Sequence, residues 1–263
     1  MPVATNRCSI SIFFPAFNDE GSIAALVHDA LDLLPTLTSD YQVLVINDGS
    51  VDRTGEIIDE LAAAHPQVRA IHHDHNRGYG GALQTGFKQS EKELVFYTDG
   101  DGQYDVKELT RLLPLMTEGV GIVAGYKANR ADGRGRLLLG GIYNRLARLL
   151  FRLPIRDVDC DFRLIRRSLL QELNGLANSG AVCVELIHEL RAHGAVFAEV
   201  EVNHYPRLHG RSQFMTPARV LRTLYDFCGL WLRLVCRPKI FRSKQPQQVS
   251  PAKLSVTTMK ADS

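Results

Sequence analysis

The sequence is short of the features that would place it in several large classes of protein. It holds only five cysteines, Cys8, Cys160, Cys183, Cys228 and Cys236. Their number is odd and no two are spaced as Cys-x-x-Cys, which argues against a disulfide framework and for a reducing compartment. No run approaches the roughly 18 uncharged apolar residues of a membrane span. The opening MPVATNRCSISIFFPAF has a brief apolar run before Pro15 and lacks the apolar core of a signal peptide. The expected location is therefore cytoplasmic, either free or peripheral on the cytosolic face of a membrane. Formal net charge over 263 residues is only +2, so no global basic field calls for nucleic acid. No internal repeat is visible.

What the chain does contain suits one α/β domain. Hydrophobic residues make up 45%, enough for a substantial core. Ser9 to Phe14, Tyr41 to Ile46, Val68 to Ile71, Leu94 to Tyr97 and Val120 to Ala124 read as short buried strands. Between the first two, Ile23, Leu26, Val27, Ala30, Leu31 and Leu34 fall at the spacing of a helix with one buried face, with Asp19 or Ser22 as its cap. Further helices are expected around Ile57 to Leu61 and over Gly81 to Ser90. Strands alternating with helices imply a mostly parallel central sheet flanked by helices. Ligands of such sheets sit beyond the carboxyl ends of the strands. The polar clusters 15–20, 47–54, 76–81 and 98–105 each follow a strand and should meet in one crevice. The expected organisation is an N-terminal arm at 1–7, a single domain at 8–215, a basic amphipathic helix at 216–242 and a disordered tail at 243–263.

Asp99-Gly100-Asp101-Gly102-Gln103, at the end of the fourth strand, is the sharpest chemical signal. Two carboxylates one residue apart can reach a single hard cation, and Gln103 adds a neutral oxygen. Oxygen ligation with open positions suits Mg²⁺ or Mn²⁺ on a diphosphate. The bland alternative is a solvated turn. Asp48, in INDGSVDRT, is placed to accept from a ring N–H of guanine or uracil, while Asp52 or Thr54 reads as a helix cap. Asn76-Arg77-Gly78-Tyr79-Gly80-Gly81 is not a dinucleotide loop. Leu83 stands where the third glycine belongs, and the turn does not follow the first strand. His72, His73 and His75 read as surface or packing residues, since alternating positions point to opposite faces.

Basic residues cluster from Lys127 to Arg152, at Lys127, Arg130, Arg134, Arg136, Arg145, Arg148 and Arg152. Leu138, Leu139, Ile142, Leu146, Leu149 and Leu150 make an apolar stripe there, expected to face the core. A second stripe, Val220, Leu221, Leu224, Phe227, Cys228, Trp231, Leu232 and Val235, is flanked by arginines and fits a membrane interface, a dimer or the core equally. Glu185, in the helical stretch AVCVELIHELRAHG, and Asp157 are candidate general bases for a hydroxyl acceptor, or equally helix-surface or capping carboxylates. His204, Arg207, His209 and Arg211 crowd a loop that follows a strand and can close over a diphosphate.

Taken in order, FFPAFNDEGSI, INDGSVDRTGEI, NRGYGGALQTGF, YTDGDGQYD, RDVDCDFRL and HYPRLHGRSQF resemble the inverting family-two glycosyltransferases, over roughly residues 8 to 215. Within them the chain is similar to the dolichol- or polyprenyl-phosphate mannosyltransferases. The resemblance implies a glycosyltransferase A-type, nucleotide-sugar-binding fold. It implies that Pro15, Ala16, Asn18, Glu20 and Asp48, with Asp99 and Asp101, hold a nucleotide-diphosphate sugar, to which the loop reading adds Arg207 as a donor-binding residue. Asp99, Asp101 and Gln103 would serve Mg²⁺ or Mn²⁺. Arginines of the Lys127 to Arg136 region, Arg130 and Arg136 among them, would meet a polyprenyl phosphate acceptor. A hexose, mannose or glucose, would then pass to the lipid phosphate with inversion. A phosphate monoester carries about −1.5 to −2 charges near neutral pH and needs charge compensation more than a base. The alternatives are a soluble glycosyltransferase with a saccharide hydroxyl acceptor, for which Glu185 or Asp157 would be the base, and a silent nucleotide-sugar-binding protein. Asn47, Asp161, Arg211 and Gln213 depart from the pattern usual in these enzymes.

Overall fold

The structure, a computed structural model, describes residues 8–130, 134–173, 175–207 and 217–236, with side chains described outside 128–139 and 217–223. The expected arm at 1–7 and tail at 243–263 lie outside the described residues. The chain runs β1 (Ile10–Ala16), α1 (Ile23–Leu37), β2 (Tyr41–Asn47), α2 (Thr54–Ala64), β3 (Val68–His72), α3 (Tyr79–Gln89), β4 (Leu94–Thr98) and α4 (Leu109–Leu112). It continues through β5 (Val120–Arg130), α5 (Arg134–Phe151), β6 (Phe162–Arg166), α6 (Arg167–Gln171), α7 (Val182–Ala192), β7 (Val196–His204) and α8 (Pro217–Trp231). A π-helical turn, Leu232–Cys236, extends the last helix.

All seven strands form one sheet in the order β3-β2-β1-β4-β6-β5-β7. Pairing is parallel throughout except where β6 runs against β4 and β5. The mostly parallel sheet expected from the alternation of elements is what forms. Its strands read as continuous apolar runs because both faces are covered. Ile10, Ile12, Phe14 and Ala16 of β1 meet α1, α2 and α4 on one face. Phe13 meets α3 and α7 on the other, as the two-residue period of a strand requires.

Two local expectations are corrected. Neither Asp19 nor Ser22 caps α1 with its side chain. The Asp19 carbonyl accepts from Ser22 N and Ile23 N, both at 3.0 Å, and the Ser22 hydroxyl donates to the Gly100 carbonyl at 2.7 Å. Ser22 thus ties the helix start to the Asp99–Gln103 loop. Three residues of the apolar stripe of α5 do not face the core either, while Leu150 packs partly against it and the side chains of Leu138 and Leu139 lie outside the described residues. Ile142, Leu146 and Leu149 are 51%, 47% and 73% exposed, while Asn144, Ala147 and Phe151 are the buried positions. Helical periodicity defines a stripe without saying which neighbour covers it, and α8 takes up the buried side instead. Phe227 packs on Tyr143 and Phe151, with ring centroids 5.5 and 5.1 Å away.

Candidate active site

The loops after β1, β2, β3 and β4 interlock at one end of the sheet. The Ala16 carbonyl accepts from Asp48 N at 2.9 Å, and the Pro15 carbonyl from Gly100 N at 3.1 Å. A Cβ on Gly100 would lie 2.8 Å from that carbonyl oxygen, so only glycine lets the two loops come so close. Asn18 N donates to Ser50 Oγ at 3.0 Å, and Asn18 Oδ1 accepts from Val51 N at 2.9 Å. Glu20 Oε2 accepts from Arg53 N at 3.0 Å. Pro15, Ala16, Asn18 and Glu20 are therefore brought together with the 48–54 turn. The last two use side-chain oxygens to brace it.

Asp48 is buried and fully engaged. Its Oδ1 accepts from Arg77 N at 2.8 Å and lies 2.6 Å from His73 Nδ1; its Oδ2 accepts from Gly78 N at 3.0 Å. His73 is a packing residue: its Nε2 stands 2.9 Å from Thr85 Oγ1 on α3. The glycine-rich turn is held from two sides. Asp48 anchors it from below, and the 177–178 segment packs on it from outside, with Gly80 N donating to the Asn178 carbonyl at 3.0 Å.

Asp99 and Asp101 lie at the end of β4. Tyr79, the first residue of α3, donates its hydroxyl to Asp99 Oδ1 at 2.7 Å. Burial, followed by the charges of Asp161 and Asp101, pushes Asp99 well above the usual carboxylate range, against the Tyr79 hydrogen bond. Asp101 Oδ1 accepts from Gln103 N at 3.0 Å, and Oδ2 is ion-paired with the Arg207 guanidinium. Gln103 ties this loop to the end of β7. Its carbonyl accepts from Tyr205 N at 2.9 Å, and its Nε2 donates to the Tyr205 carbonyl at 3.0 Å. Asp19 borders the same cluster. Burial, partly opposed by a hydrogen bond from Phe17 N and reinforced by Asp101, pushes its carboxyl up to about 6.

Asp161 is the site residue whose position the sequence did not disclose. In the antiparallel register of β4 and β6, Thr98 faces Phe162, so Asp161 stands one step further along, across from Asp99. Arg163, with no exposed side-chain surface, approaches Asp161 at 3.3 Å and donates to the Tyr97 hydroxyl at 2.6 Å. Cys183 Sγ adds a contact to Asp161 at 3.3 Å. A like charge opposite Asp99 is unfavourable, and the buried Arg163 is its counterweight. The only sequence signal was the DCDF segment, which is uninformative until its strand is paired.

The remaining candidates are dispersed. Glu185 accepts from Ala177 N at 2.6 Å through Oε2, and Oε1 is ion-paired with Arg233 from the C-terminal helix. Asp157 accepts from Asn144 Nδ2 and Asp159 N, both at 3.2 Å. Both carboxylates brace loops as they stand. Arg130 ends β5, opposite His204 of β7, and Arg136 lies in the first turn of α5; their side chains, and all of His209 and Arg211, lie outside the described residues.

The donor set can be tested against a divalent cation. Among the described residues no three His, Cys, Asp or Glu side chains converge on one point. A cation here would depend on the Asp99 and Asp101 carboxylates, with further oxygens from a ligand. The cluster does favour positive charge, because a guanidinium already sits on Asp101 and burial of Asp99 beside two carboxylates would be relieved by a cation. Oxygen donors of this kind fit Mg²⁺ or Mn²⁺.

Carboxylates gathered beyond the carboxyl ends of a mostly parallel sheet define an α/β protein that takes its ligand at the strand ends. The same fold occurs in glucosyl-3-phosphoglycerate synthase from Mycobacterium tuberculosis in complex with Mg²⁺ and uridine diphosphate. That match has a TM-score of 0.62 and 22% identity, and covers 84% of this chain and 80% of that one. Its complex with Mn²⁺, uridine diphosphate and phosphoglyceric acid matches with a TM-score of 0.60 at 22% identity, over 84% and 79% of the two chains. The chain belongs to glycosyl transferase family 2, whose model matches residues 11–173, more than half of its length.

Its curated relatives include the undecaprenyl-phosphate 4-deoxy-4-formamido-L-arabinose transferases. The one from Pseudomonas fluorescens (strain Pf0-1) is 26% identical over 221 residues, covering 82% of this chain and 63% of the relative. That from Pectobacterium carotovorum subsp. carotovorum (strain PC1) is 26% identical over 220 residues, covering 83% and 66%. This chain thus spans just under two thirds of the length of these relatives.

Proposed function

We propose that this chain is an inverting glycosyltransferase that moves a sugar from a nucleotide-diphosphate donor to a polyprenyl phosphate, with Mg²⁺ or Mn²⁺ at Asp99 and Asp101. The observation that carries the reading is the convergence of four strand-end loops on that carboxylate pair. The relatives' activity on undecaprenyl phosphate supports the acceptor, and the metal and uridine diphosphate held by the structural neighbours support the donor. Residues 8–215 perform the transfer, and the sugar is a hexose, mannose or glucose.

In this reading a phosphate oxygen of the acceptor attacks the anomeric carbon. The bond from that carbon to the donor's diphosphate oxygen breaks, and the nucleoside diphosphate leaves with the electron pair. Asp99 and Asp101 would hold a divalent ion that, when bound, would supply charge neutralisation to the departing diphosphate. Pro15, Ala16, Asn18 and Glu20 shape the nucleotide pocket. Asp48 serves it either by reaching the base or by fixing the Arg77–Gly78 turn. Arg207 compensates diphosphate charge, and Arg130 and Arg136 compensate the acceptor phosphate. The nucleophile is already anionic, so no base is required.

The test supplies radiolabelled GDP-mannose, UDP-glucose or UDP-N-acetylglucosamine with Mg²⁺ and, in parallel arms, polyprenyl phosphate or a saccharide acceptor. Organic-soluble label is the expected outcome with one donor. Label found only on a saccharide acceptor would replace the lipid reading with the hydroxyl-acceptor one.

A lipid acceptor calls for contact with the cytosolic face of a membrane, and α5 and α8 supply the surface for it. Among the described residues no helix is long and apolar enough to cross a membrane. Of the eleven exposed large hydrophobics among the described residues, seven are on these two helices or the turn that extends α8: Ile142, Leu146, Leu149, Leu224, Tyr225, Leu232 and Val235. Exposed Arg145, Arg148 and Arg152 lie alongside, the pairing of apolar and basic groups that anionic lipid attracts. Leu146→Glu with Leu149→Glu should abolish sedimentation with anionic vesicles without affecting folding. Undiminished sedimentation would remove this face as the contact.

A further inference from the structure

Asp101 has both carboxylate oxygens engaged, one by its own loop and the other by a cation that the protein itself supplies. Oδ1 accepts from Gln103 N at 3.0 Å, and Oδ2 carries the Arg207 guanidinium. An incoming divalent ion and a guanidinium repel each other and cannot both sit against Oδ2. The Arg207 side chain retains 24% of its surface, so it stands at the rim of the cluster rather than inside it. Its base is short and fixed. Tyr205, two residues earlier, is clamped to Gln103 by hydrogen bonds of 2.9 and 3.0 Å, and Pro206 restricts the backbone between them. The strand end therefore stays in place while the long arginine side chain is free to exchange one partner for another.

We infer that Arg207 is a placeholder that holds the metal position closed until donor and metal arrive together. The inference rests on the metal-and-donor reading above. Without donor, a divalent ion must evict a guanidinium whose neighbouring carboxylate, Asp19, borders the same cluster, so the displaced charge stays beside the ion. With donor, the diphosphate offers Arg207 a two-pronged phosphate contact, so eviction is compensated and the two ligands bind cooperatively. Coupling between sites is typically about 5- to 150-fold. Arg207 is in this account a positioning residue that enforces simultaneous binding.

The experiment titrates the full chain with Mn²⁺ and reads free ion by electron paramagnetic resonance, alone and with saturating UDP or GDP. Arg207→Met should bind Mn²⁺ about tenfold more tightly than wild type without nucleotide, and the gain in affinity on adding nucleotide should shrink by about tenfold. Arg207→Lys should fall between. Mn²⁺ affinity unchanged or weakened in Arg207→Met without nucleotide would overturn the placeholder, and an undiminished nucleotide effect would overturn the hand-over to the diphosphate. Asp101→Asn separates the two levels of the argument. If it abolishes Mn²⁺ binding while Arg207→Met changes nothing, only the placeholder fails. If it leaves Mn²⁺ binding intact, the metal site itself is wrong and the placeholder falls with it.

Discussion

Asp101→Ala should lower kcat/KM for sugar transfer by on the order of 10³-fold or more, the scale of losing a central charge-stabilising group, and should leave the protein folded. The two halves of that expectation have different origins. Activity falls because one of the two carboxylates that would position the metal is gone. Stability is spared because Asp101 is itself a source of strain. Its charge is one of those that push Asp99 upward, and relief of that repulsion offsets the loss of its ion pair with Arg207. Label transfer and a thermal melt on the same preparation check both halves. Retained turnover would remove Asp101 from the metal site, and a collapsed melt would make it a structural residue instead.

Gly80→Ala should be the most damaging glycine-to-alanine change among the described residues, costing about 3 kcal/mol or more by chemical denaturation. A Cβ there would lie 1.9 Å from the Ala177 carbonyl oxygen and 2.8 Å from two backbone atoms of Asn178. The opposing backbone cannot retreat cheaply. Ala177 N is held by Glu185 at 2.6 Å, Asn178 Oδ1 by Gln84 at 2.8 Å, and the Asn178 carbonyl by Gly80 itself at 3.0 Å. Displacing this turn also displaces Tyr79, whose hydroxyl supports Asp99. Gly141→Ala on α5 is the control. Nothing lies within 4 Å of its added Cβ, so the change should stabilise by about 0.5–1 kcal/mol through helix propensity alone. Equal effects at the two glycines would contradict the packing account.

The contrast shows which parts of this protein are legible in its sequence. Five strands and the loops that follow four of them could be read directly, because apolar runs ending in Asp, Asn and Gly carry both the period and the stop signal. The convergence of those loops on Asp99 and Asp101 then follows from the topology of parallel sheets. The five-residue β6 was not legible. It reads FRLIR, with an arginine that proves to be fully buried, and only pairing with β4 and β5 makes it a strand. Asp161 was hidden with it, because facing Asp99 is a property of register and not of any local motif. Asp48 illustrates the same limit. A carboxylate after β2 is visible in the sequence, but the backbone N–H groups that engage it belong to Arg77 and Gly78, some thirty residues on. Glu185 looked like a free carboxylate on a helix until the C-terminal segment brought Arg233 to it.

In the proposed function Asp99 and Asp101 hold a nucleoside diphosphate through a divalent cation. Calorimetric titration of UDP and GDP into the full chain, once with Mg²⁺ and once with EDTA, tests it most directly. The account predicts binding of one nucleotide with Mg²⁺, its loss in EDTA, and its loss in Asp101→Ala even with Mg²⁺. Binding of equal strength in EDTA, or undiminished in Asp101→Ala, would contradict it.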